Sequence, residues 1–217
     1  MRIGTWNLAG RWDGRHLELL NAMDCDVLLL TEVSERVEIP GMRVHATELE
    51  MSRKRRWAAV ASRSPLEPAP DPHGASATAE VNGLSFCSSI LPWKGGAPFW
   101  PGRGTTTAER TLDAVAAIER SAPDVWGGDW NHAMSGREWV GSTAGRQGIL
   151  AAVDRMRLSV PTADSAHRIE GLLSIDHIAV PSSWEIKSVE RRSGVALSGA
   201  DRLSDHDAYV IEVADLR

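Results

Sequence analysis

Short apolar runs alternate with amphipathic segments along the whole chain. Asp13 is placed to cap a helix that carries Leu17, Leu20 and Met23 on one face. The run at 26–31 is apolar without alternation, which is typical of a strand covered on both faces. With that run, four strands are predicted in the first third of the chain, at residues 3–8, 26–31, 42–46 and 57–61.

A hairpin and two loops are predicted next. The dipeptide Asn82-Gly83 separates two apolar segments, 77–81 and 84–91, and it is the strongest short hairpin signal. Residues 65–74 contain four prolines, and residues 92–104 are rich in glycine, proline and tryptophan. Because proline lacks the amide donor that a sheet ladder needs, we expect both segments to be loops.

Two helices and four strands are predicted in the second half of the chain. Thr106 and Glu109 form a capping box that begins a helix ending at Ala122, with Leu112, Val115 and Ile118 facing the core. A second amphipathic helix fits residues 148–157. The strands are predicted at residues 124–127, 174–180, 185–189 and 208–213. These elements predict an α+β fold of two packed sheets flanked by helices, with residues 1–217 in a single domain.

Charge and composition restrict the function classes. Lysine and arginine number 24 against 29 acidic residues, a net charge of −5, which disfavours general electrostatic binding of nucleic acid. The run Arg53-Lys54-Arg55-Arg56 is either a local phosphate contact or a solvated turn. Two isolated cysteines, no long apolar run and a polar N-terminal segment predict a cytoplasmic protein without a membrane segment.

The most informative polar residues fall at or beside predicted strand ends. Each one alone is explained by a turn, a cap or a solvated terminus, but six such coincidences are improbable. Carboxylates and amides without a cysteine or histidine cluster suit a hard cation such as Mg²⁺, whereas zinc prefers thiolates or several imidazoles. The pattern predicts a metal-assisted phosphoester hydrolase whose site includes Asn7, Glu32, Asp129, Asn131, Asp176 and Asp205-His206.

These residues resemble the endonuclease/exonuclease/phosphatase superfamily, which includes pancreatic-type DNases and apurinic endonucleases. The matching blocks occur in the family's order and span nearly the whole chain: Thr5-Trp6-Asn7, Leu29-Leu30-Thr31-Glu32, Gly128-Asp129-Trp130-Asn131, Ile175-Asp176-His177-Ile178 and Ser204-Asp205-His206. The combination is specific, although no single block is. The resemblance implies a four-layer α/β/β/α sandwich of two mainly antiparallel sheets flanked by helices.

The resemblance also implies a role for each residue. Glu32 is expected to be the main Mg²⁺ ligand, with Mn²⁺ as a substitute. Asn7 is expected to help at the metal or at a phosphate oxygen, and Asp205 to support the metal through water. Asp129 is expected to orient or deprotonate the attacking water, and Asn131 to hold that water or the phosphate. His206 is expected to stabilise the charge of the phosphate, and Asp176 to fix the His206 ring and raise its pKa.

The chain departs from the family pattern near residues 84–92, where many members carry a tyrosine or histidine. Ser88 and Ser89 stand there instead, and Lys94 or Arg103 could replace the missing donor. Arg103, which precedes a helix N-terminus, and Trp130, which lies inside a motif, are predicted to bind substrate. Ala9, two residues after Asn7, offers no side-chain ligand where some relatives have an acid.

Nucleic acid or a nucleotide is the predicted substrate, and a monomer is the predicted state. The alternatives are a phosphomonoesterase acting on a small phosphate or phosphoinositide, and a catalytically silent binding domain of the same fold. A calcineurin-like phosphoesterase has little support, because the Asp-x-His and Gly-Asn-His motifs of that class are absent from the sequence.

Overall fold

Two sheets packed face to face form the centre of the molecule. The computed structural model describes residues 1–96, 99–199 and 201–214; residues 97 and 98 of the loop predicted at 92–104 lie outside this description. The strands are β1 (Arg2–Asn7), β2 (Val27–Ser34), β3 (Arg43–Ala46), β4 (Glu50–Ser52), β5 (Arg55–Ser62), β6 (Leu66–His73), β7 (Ser76–Val81), β8 (Leu84–Ile90), β9 (Val125–Asp129), β10 (Leu158–Ser159), β11 (Asp176–Pro181), β12 (Ile186–Arg192) and β13 (Ala208–Val213). The helices are α1 (Gly14–Met23), α2 (Thr107–Ser121) and α3 (Thr143–Arg155).

Each sheet is antiparallel except for one parallel pair. The first sheet has the order β12-β13-β1-β2-β5-β3, with β4 also paired to β5, and its parallel pair is β1 with β2. The second sheet has the order β10-β11-β9-β8-β7-β6, and its parallel pair is β8 with β9. The predicted α+β sandwich of two mainly antiparallel sheets is therefore confirmed.

Three apolar clusters separate the four layers of the sandwich. The inner faces of both sheets meet in one cluster that includes Ile3, Leu29 and Phe86. Helix α1 covers the outer face of the first sheet through a second cluster, which includes Leu20 and Leu30. Helices α2 and α3 cover the second sheet, with Val115, Ile149 and Trp126 in the third cluster. Because successive strand residues point to opposite faces, the unbroken run in β2 supplies both the inner and the outer cluster.

The capping residues in the sequence predicted the start of α1 and of α2 correctly, but not the start of α3. Asp13 caps α1, and Thr106 with Glu109 forms the predicted capping box of α2. Leu112, however, was predicted to face the core and is 45% exposed. Helix α3 begins five residues before the predicted start, because the Ser142 hydroxyl accepts from the Gly145 amide and caps a turn without apolar periodicity. None of the described helices is long and apolar enough to cross a lipid bilayer.

The proline-rich segment is a strand, so the loop predicted at 65–74 is wrong. Strand β6 is the edge of the second sheet and pairs only with β7, with a register shift between Ala69 and His73. Proline is tolerated there because an edge strand leaves half of its amides without a ladder partner. The Asn82-Gly83 hairpin is confirmed, and both residues have positive φ, 53° and 76°, as the tight turn requires.

Candidate active site

Five of the predicted polar residues meet at one edge of the sandwich. Asn7 ends β1 and Glu32 lies near the end of the parallel strand β2. Asp129 ends β9, and Asp176 begins the antiparallel strand β11 directly opposite it in the ladder. His206 precedes β13, which runs antiparallel to β1. The carboxyl ends of the parallel strands and the amino ends of their antiparallel neighbours therefore share this edge.

The amide of Asn7 links two carboxylates across the two sheets. Its Nδ2 donates to Glu32 Oε1 at 3.3 Å and to Asp129 Oδ2 at 2.9 Å. Its Oδ1 accepts from the Ala9 backbone amide at 2.8 Å, which holds the side chain in this orientation. The Glu32 and Asp129 oxygens are thus separated by less than the sum of these two donor distances, so the two carboxylates face the same small space.

His206 is held between two carboxylates. Its Nδ1 lies 2.8 Å from Asp176 Oδ2, and its Nε2 lies 3.8 Å from Asp129 Oδ2. Burial lowers the pKa of His206, but the charges of Asp176 and Asp129 and the hydrogen bond to Asp176 outweigh burial and raise the pKa to about 10. The ring is therefore cationic near neutral pH. The Ser204 hydroxyl positions its backbone by donating to the Asn7 carbonyl and accepting from the His206 amide.

Asp129 is the carboxylate whose environment most favours accepting a proton. It is 3% exposed, and burial raises its pKa to about 7 although the charge of His206 and the hydrogen bond from Asn7 lower it. A carboxyl group with a pKa near the working pH is suited to general acid–base chemistry. The arrangement thus supplies a candidate base beside a candidate cation.

Two residues with left-handed backbone lie at the ends of the strands that form the site. Glu32 has φ 49°, and its carbonyl accepts from the Gly10 amide at 2.8 Å. Asn131 has φ 51°; its amide donates to Asp129 Oδ1 at 3.0 Å, and its side chain donates to the Leu91 carbonyl. Such conformations are costly for residues other than glycine, and their concentration beside the cleft is typical of a functional site.

The donor chemistry of the cleft fits a hard divalent cation. Glu32, Asp129 and Asp205 line one cleft, and the buried Oδ1 of Asp176 has no hydrogen-bond partner among the described residues. Possible ligand atoms of Asp129, Asp176 and His206 lie within 4.8 Å of one another. A cationic imidazole cannot ligate a metal, so His206 is a poor ligand and carboxylate oxygens are the suitable donors.

An arginine absent from the predicted site contacts Glu32. Arg55 Nη1 donates to Glu32 Oε2 at 2.8 Å. The guanidinium lies against Gly10, where a Cβ atom would come within 2.0 Å of Arg55 Nε. Gly10 also has φ 68°, so both its conformation and its lack of a side chain make room for Arg55. Arg55 falls in the basic run that the sequence analysis left open between a phosphate contact and a solvated turn.

The walls of the cleft combine aromatic and cationic side chains. The cleft has a volume of about 320 Å³, and Trp93, Trp139, His167 and Arg168 line it together with the polar floor. The rings of Trp139 and His167 lie 4.7 Å apart, and Arg168 Nε donates to the Asp205 carbonyl at 2.6 Å. Trp139, His167 and Arg168 lie in irregular loops that carry no periodicity or motif, so the sequence held no signal for them.

The two predicted substrate contacts are not in this cleft. The prediction for Trp130 is wrong, because its ring is fully buried and packs 4.1 Å from Trp126 in the third cluster. Arg103 is exposed before α2, outside the residues that line the cleft. Lys94 is also outside that lining, and Ser88 and Ser89 are fully buried, so none of these side chains lines the cleft.

Replacing Trp130 with alanine is expected to lower the free energy of unfolding by about 3–5 kcal/mol, because a buried indole leaves a large cavity. Urea denaturation followed by circular dichroism measures this loss. Trp139→Ala is the matched comparison: its ring is partly exposed in the cleft wall and should cost clearly less. Equal losses for the two variants would contradict the assignment of Trp130 to the core.

Comparison with known proteins agrees with this geometry. The sequence profile described as the Endonuclease/Exonuclease/phosphatase family matches residues 4–206. No curated protein matches the sequence significantly.

Solved structures with low sequence identity share the fold. An AP endonuclease from Archaeoglobus fulgidus has a TM-score of 0.71 at 16% identity, over 98% of this chain and 99% of its own. The endonuclease domain of TRAS1, a telomere-specific non-LTR retrotransposon, has a TM-score of 0.70 at 15% identity, over 100% and 99%. The human Nocturnin catalytic domain, solved with a bound sulfate anion, has a TM-score of 0.62 at 12% identity, over 99% and 94%.

Proposed function

This chain belongs to the endonuclease/exonuclease/phosphatase family, and we propose that it is a divalent-metal-dependent phosphodiesterase that acts on nucleic acid. The observation that carries the proposal is the set of hydrogen bonds by which Asn7 joins Glu32 to Asp129, with the His206 cation 3.8 Å from the same Asp129 oxygen. Members of this family hydrolyse phosphoesters, and these residues supply a base for the attacking water and a cation for the phosphate.

Each side chain has a definite task in the proposed reaction. Asp129 accepts a proton from the attacking water, which its raised pKa favours, and Asn7 and Asn131 hold that carboxylate in place. As the water oxygen bonds to phosphorus, the P–O bond to the leaving group breaks, and the departing oxygen takes up a proton from solvent. His206 directs its Nε2–H toward a phosphate oxygen and stabilises the added negative charge. Asp176 keeps the ring oriented and cationic.

Glu32 is the residue that we propose to hold the metal, with Asp205 in support and Asn7 orienting the carboxylate. Mg²⁺, or Mn²⁺ in its place, would act there as a Lewis acid that polarises the phosphoryl oxygen. The hydrogen bonds already made by Asn7 favour this orienting task over direct ligation.

The walls of the cleft support nucleic acid as the substrate class. Trp93 and Trp139 line the cleft and are partly exposed. Bases can stack on such indole rings at about 1–3 kcal/mol for each base, and Arg168 offers a cation for the backbone. The AP endonuclease and the TRAS1 endonuclease domain share this fold, which is consistent with the proposal. A single catalytic domain over residues 1–217, a monomeric state and a cytoplasmic location stay predictions.

We expect the wild-type protein to hydrolyse bis-p-nitrophenyl phosphate and single-stranded DNA with Mg²⁺ and to lose this activity in EDTA. Glu32→Gln should bind Mg²⁺ at least about tenfold more weakly by isothermal titration calorimetry, because a neutral amide replaces a carboxylate ligand. Glu38→Gln, an exposed glutamate outside the cleft lining, is the matched control and should leave the titration unchanged.

Adding inositol phosphates and a phosphomonoester to these substrates separates the alternative functions. Hydrolysis of inositol phosphates or a phosphomonoester in preference to any diester would assign the chain to the phosphatases. Binding of oligonucleotide without turnover of any substrate in Mg²⁺ or Mn²⁺ would indicate a catalytically silent domain. A Mg²⁺ titration of Glu32→Gln that matches the wild type would remove Glu32 from the metal site.

A further inference from the structure

A second concave site lies next to the cleft. It has a volume of about 320 Å³, and five of its lining residues are cationic. We call it the basic pocket and define it by Arg11, Arg36, Arg53, Lys54 and Arg55. None of the described residues that line it is acidic, although the whole chain carries a net charge of −5.

Most of these cations lack a counter-charge. Of the five, only Arg55 forms an ion pair, with Glu32; in the described part of the chain none of the other four lies within 4 Å of a carboxylate oxygen. Like charges held together repel each other and gain from a bound anion. Because carboxylates of the described residues do not neutralise most of these positive charges, the basic pocket favours binding of a polyanion.

Three loops build the basic pocket, and backbone hydrogen bonds tie them together. The loop after β1 is joined to β2 by the Gly10 amide, which donates to the Glu32 carbonyl at 2.8 Å. The loop after β2 is joined to the β4–β5 turn by the Glu35 amide, which donates to the Lys54 carbonyl at 3.0 Å. Trp12, which also lines the pocket, packs its ring 6.0 Å from His16 of α1. The cations are thus presented on a connected scaffold.

Arg55 connects the basic pocket to the active site. Its guanidinium lines the basic pocket and contacts Glu32, which lines the cleft. A ligand that fills the cleft can therefore continue past Arg55 into the basic pocket without leaving the surface. In a nucleic acid strand the phosphates recur about every 3.4 Å along the axis, so a neighbouring phosphate is always available.

We infer that the basic pocket binds backbone phosphates of the substrate strand beyond the bond that is cleaved, so that the substrate is a polynucleotide rather than a mononucleotide. This inference rests on the proposed function and deepens it. A mononucleotide or a small diester fills only the cleft and leaves Arg11, Arg36, Arg53 and Lys54 without a partner. A longer strand supplies each of them with a phosphate oxygen.

The test measures binding of a fluorescein-labelled single-stranded DNA of about 20 nucleotides by fluorescence anisotropy in EDTA. Arg36→Glu/Arg53→Glu reverses two exposed cations of the basic pocket. Its Kd should rise at least about tenfold, and the slope of log K against log salt should become shallower by about 1.4, since each phosphate contact on a single strand contributes roughly 0.7.

Arg120→Glu/Lys187→Glu is the matched control, with the same change of net charge. Both residues are exposed. Arg120 is in the last turn of α2, which crosses between the parallel strands β8 and β9, and Lys187 is near the start of β12, so both lie toward the sheet edge opposite the cleft. This variant should keep Kd within about twofold of the wild type, and circular dichroism verifies that both variants are folded.

Equal affinities of the two double variants for the oligonucleotide would overturn the inference. So would unchanged oligonucleotide binding together with loss of binding to phosphatidylcholine vesicles that contain a phosphoinositide, because the basic pocket would then recognise a membrane surface. Hydrolysis of bis-p-nitrophenyl phosphate by the wild type is measured separately. Its absence defeats the proposed function, whereas the anisotropy result alone decides the basic pocket.

Discussion

Replacing Asp129 with asparagine is expected to reduce kcat/KM for phosphodiester hydrolysis by about 10³-fold, within the range that general-base catalysis contributes. The amide keeps the size of the side chain but cannot take a proton from water. Steady-state kinetics with bis-p-nitrophenyl phosphate and Mg²⁺ measure the loss. Asp124→Asn is the control, because Asp124 directly precedes β9 at its other end and its Oδ2 accepts from the Ser85 amide at 2.8 Å.

The thermal stability of Asp129→Asn should equal or exceed that of the wild type in EDTA. Burial raises the pKa of Asp129 to about 7, above its value in the unfolded chain, so the folded state favours the protonated carboxyl. This preference stabilises the fold below the unfolded pKa and is lost as the pH rises toward 7. Asparagine removes the cost of burying the ionised group. Retained activity, or loss of activity only through unfolding, would reject Asp129 as the base.

Replacing Asp176 with asparagine should lower kcat/KM by about 10²-fold, and His206→Ala by about 10³-fold, because Asp176 acts through the imidazole. The double variant should then be no worse than His206→Ala alone, since groups that act as one unit are not additive. The hydrogen bond at 2.8 Å between His206 Nδ1 and Asp176 Oδ2 is the physical basis of this expectation.

A second readout separates this role from a merely structural one. Asp176→Asn removes the closest charge that raises the pKa of His206, so NMR titration of the imidazole should show a pKa well below the wild-type value of about 10. Asp71→Asn is the matched control, because His45 Nε2 and Asp71 Oδ1 form a similar pair at 3.1 Å outside the cleft lining. Multiplicative losses in the Asp176/His206 double variant would show that the two residues act independently.

Secondary structure was predicted correctly where caps and turns in the sequence specified the same elements that the packed core stabilises. The Asp13 cap, the Thr106–Glu109 capping box and the Asn82-Gly83 hairpin depend on hydrogen bonds between residues close in the chain, and they are confirmed. Strand β6 was not predicted because a strand tolerates prolines only at a sheet edge. Whether a segment lies at an edge is decided when the sheet assembles. The prediction for Leu112 was wrong because the apolar stripe of α2 is wider than the face of the helix that the sheet covers.

Some features of the active site could likewise be predicted from local sequence, and others could not. The types and order of its polar residues could be predicted from the sequence. They directly follow or precede apolar strand segments, and their order matches the motifs of the family. The fate of Trp130 could not be read, since whether a tryptophan after a strand faces the core or the cleft depends on the pleat of β9. Trp139, Arg168 and the contact between Arg55 and Glu32 could not be read either, because they join loops distant in sequence.

By itself, the sequence determined which elements form, which chemical groups lie at their ends and which family they resemble. Apolar periodicity and capping act over a few residues, so these features are encoded locally. Only the tertiary structure decided that Asn7 would join two carboxylates and that His206 would be held as a cation. It also decided that four cations without an ion-pair partner among the described residues would gather beside the cleft. These properties depend on distances and burial between segments far apart in the chain, which are set only when the two sheets pack.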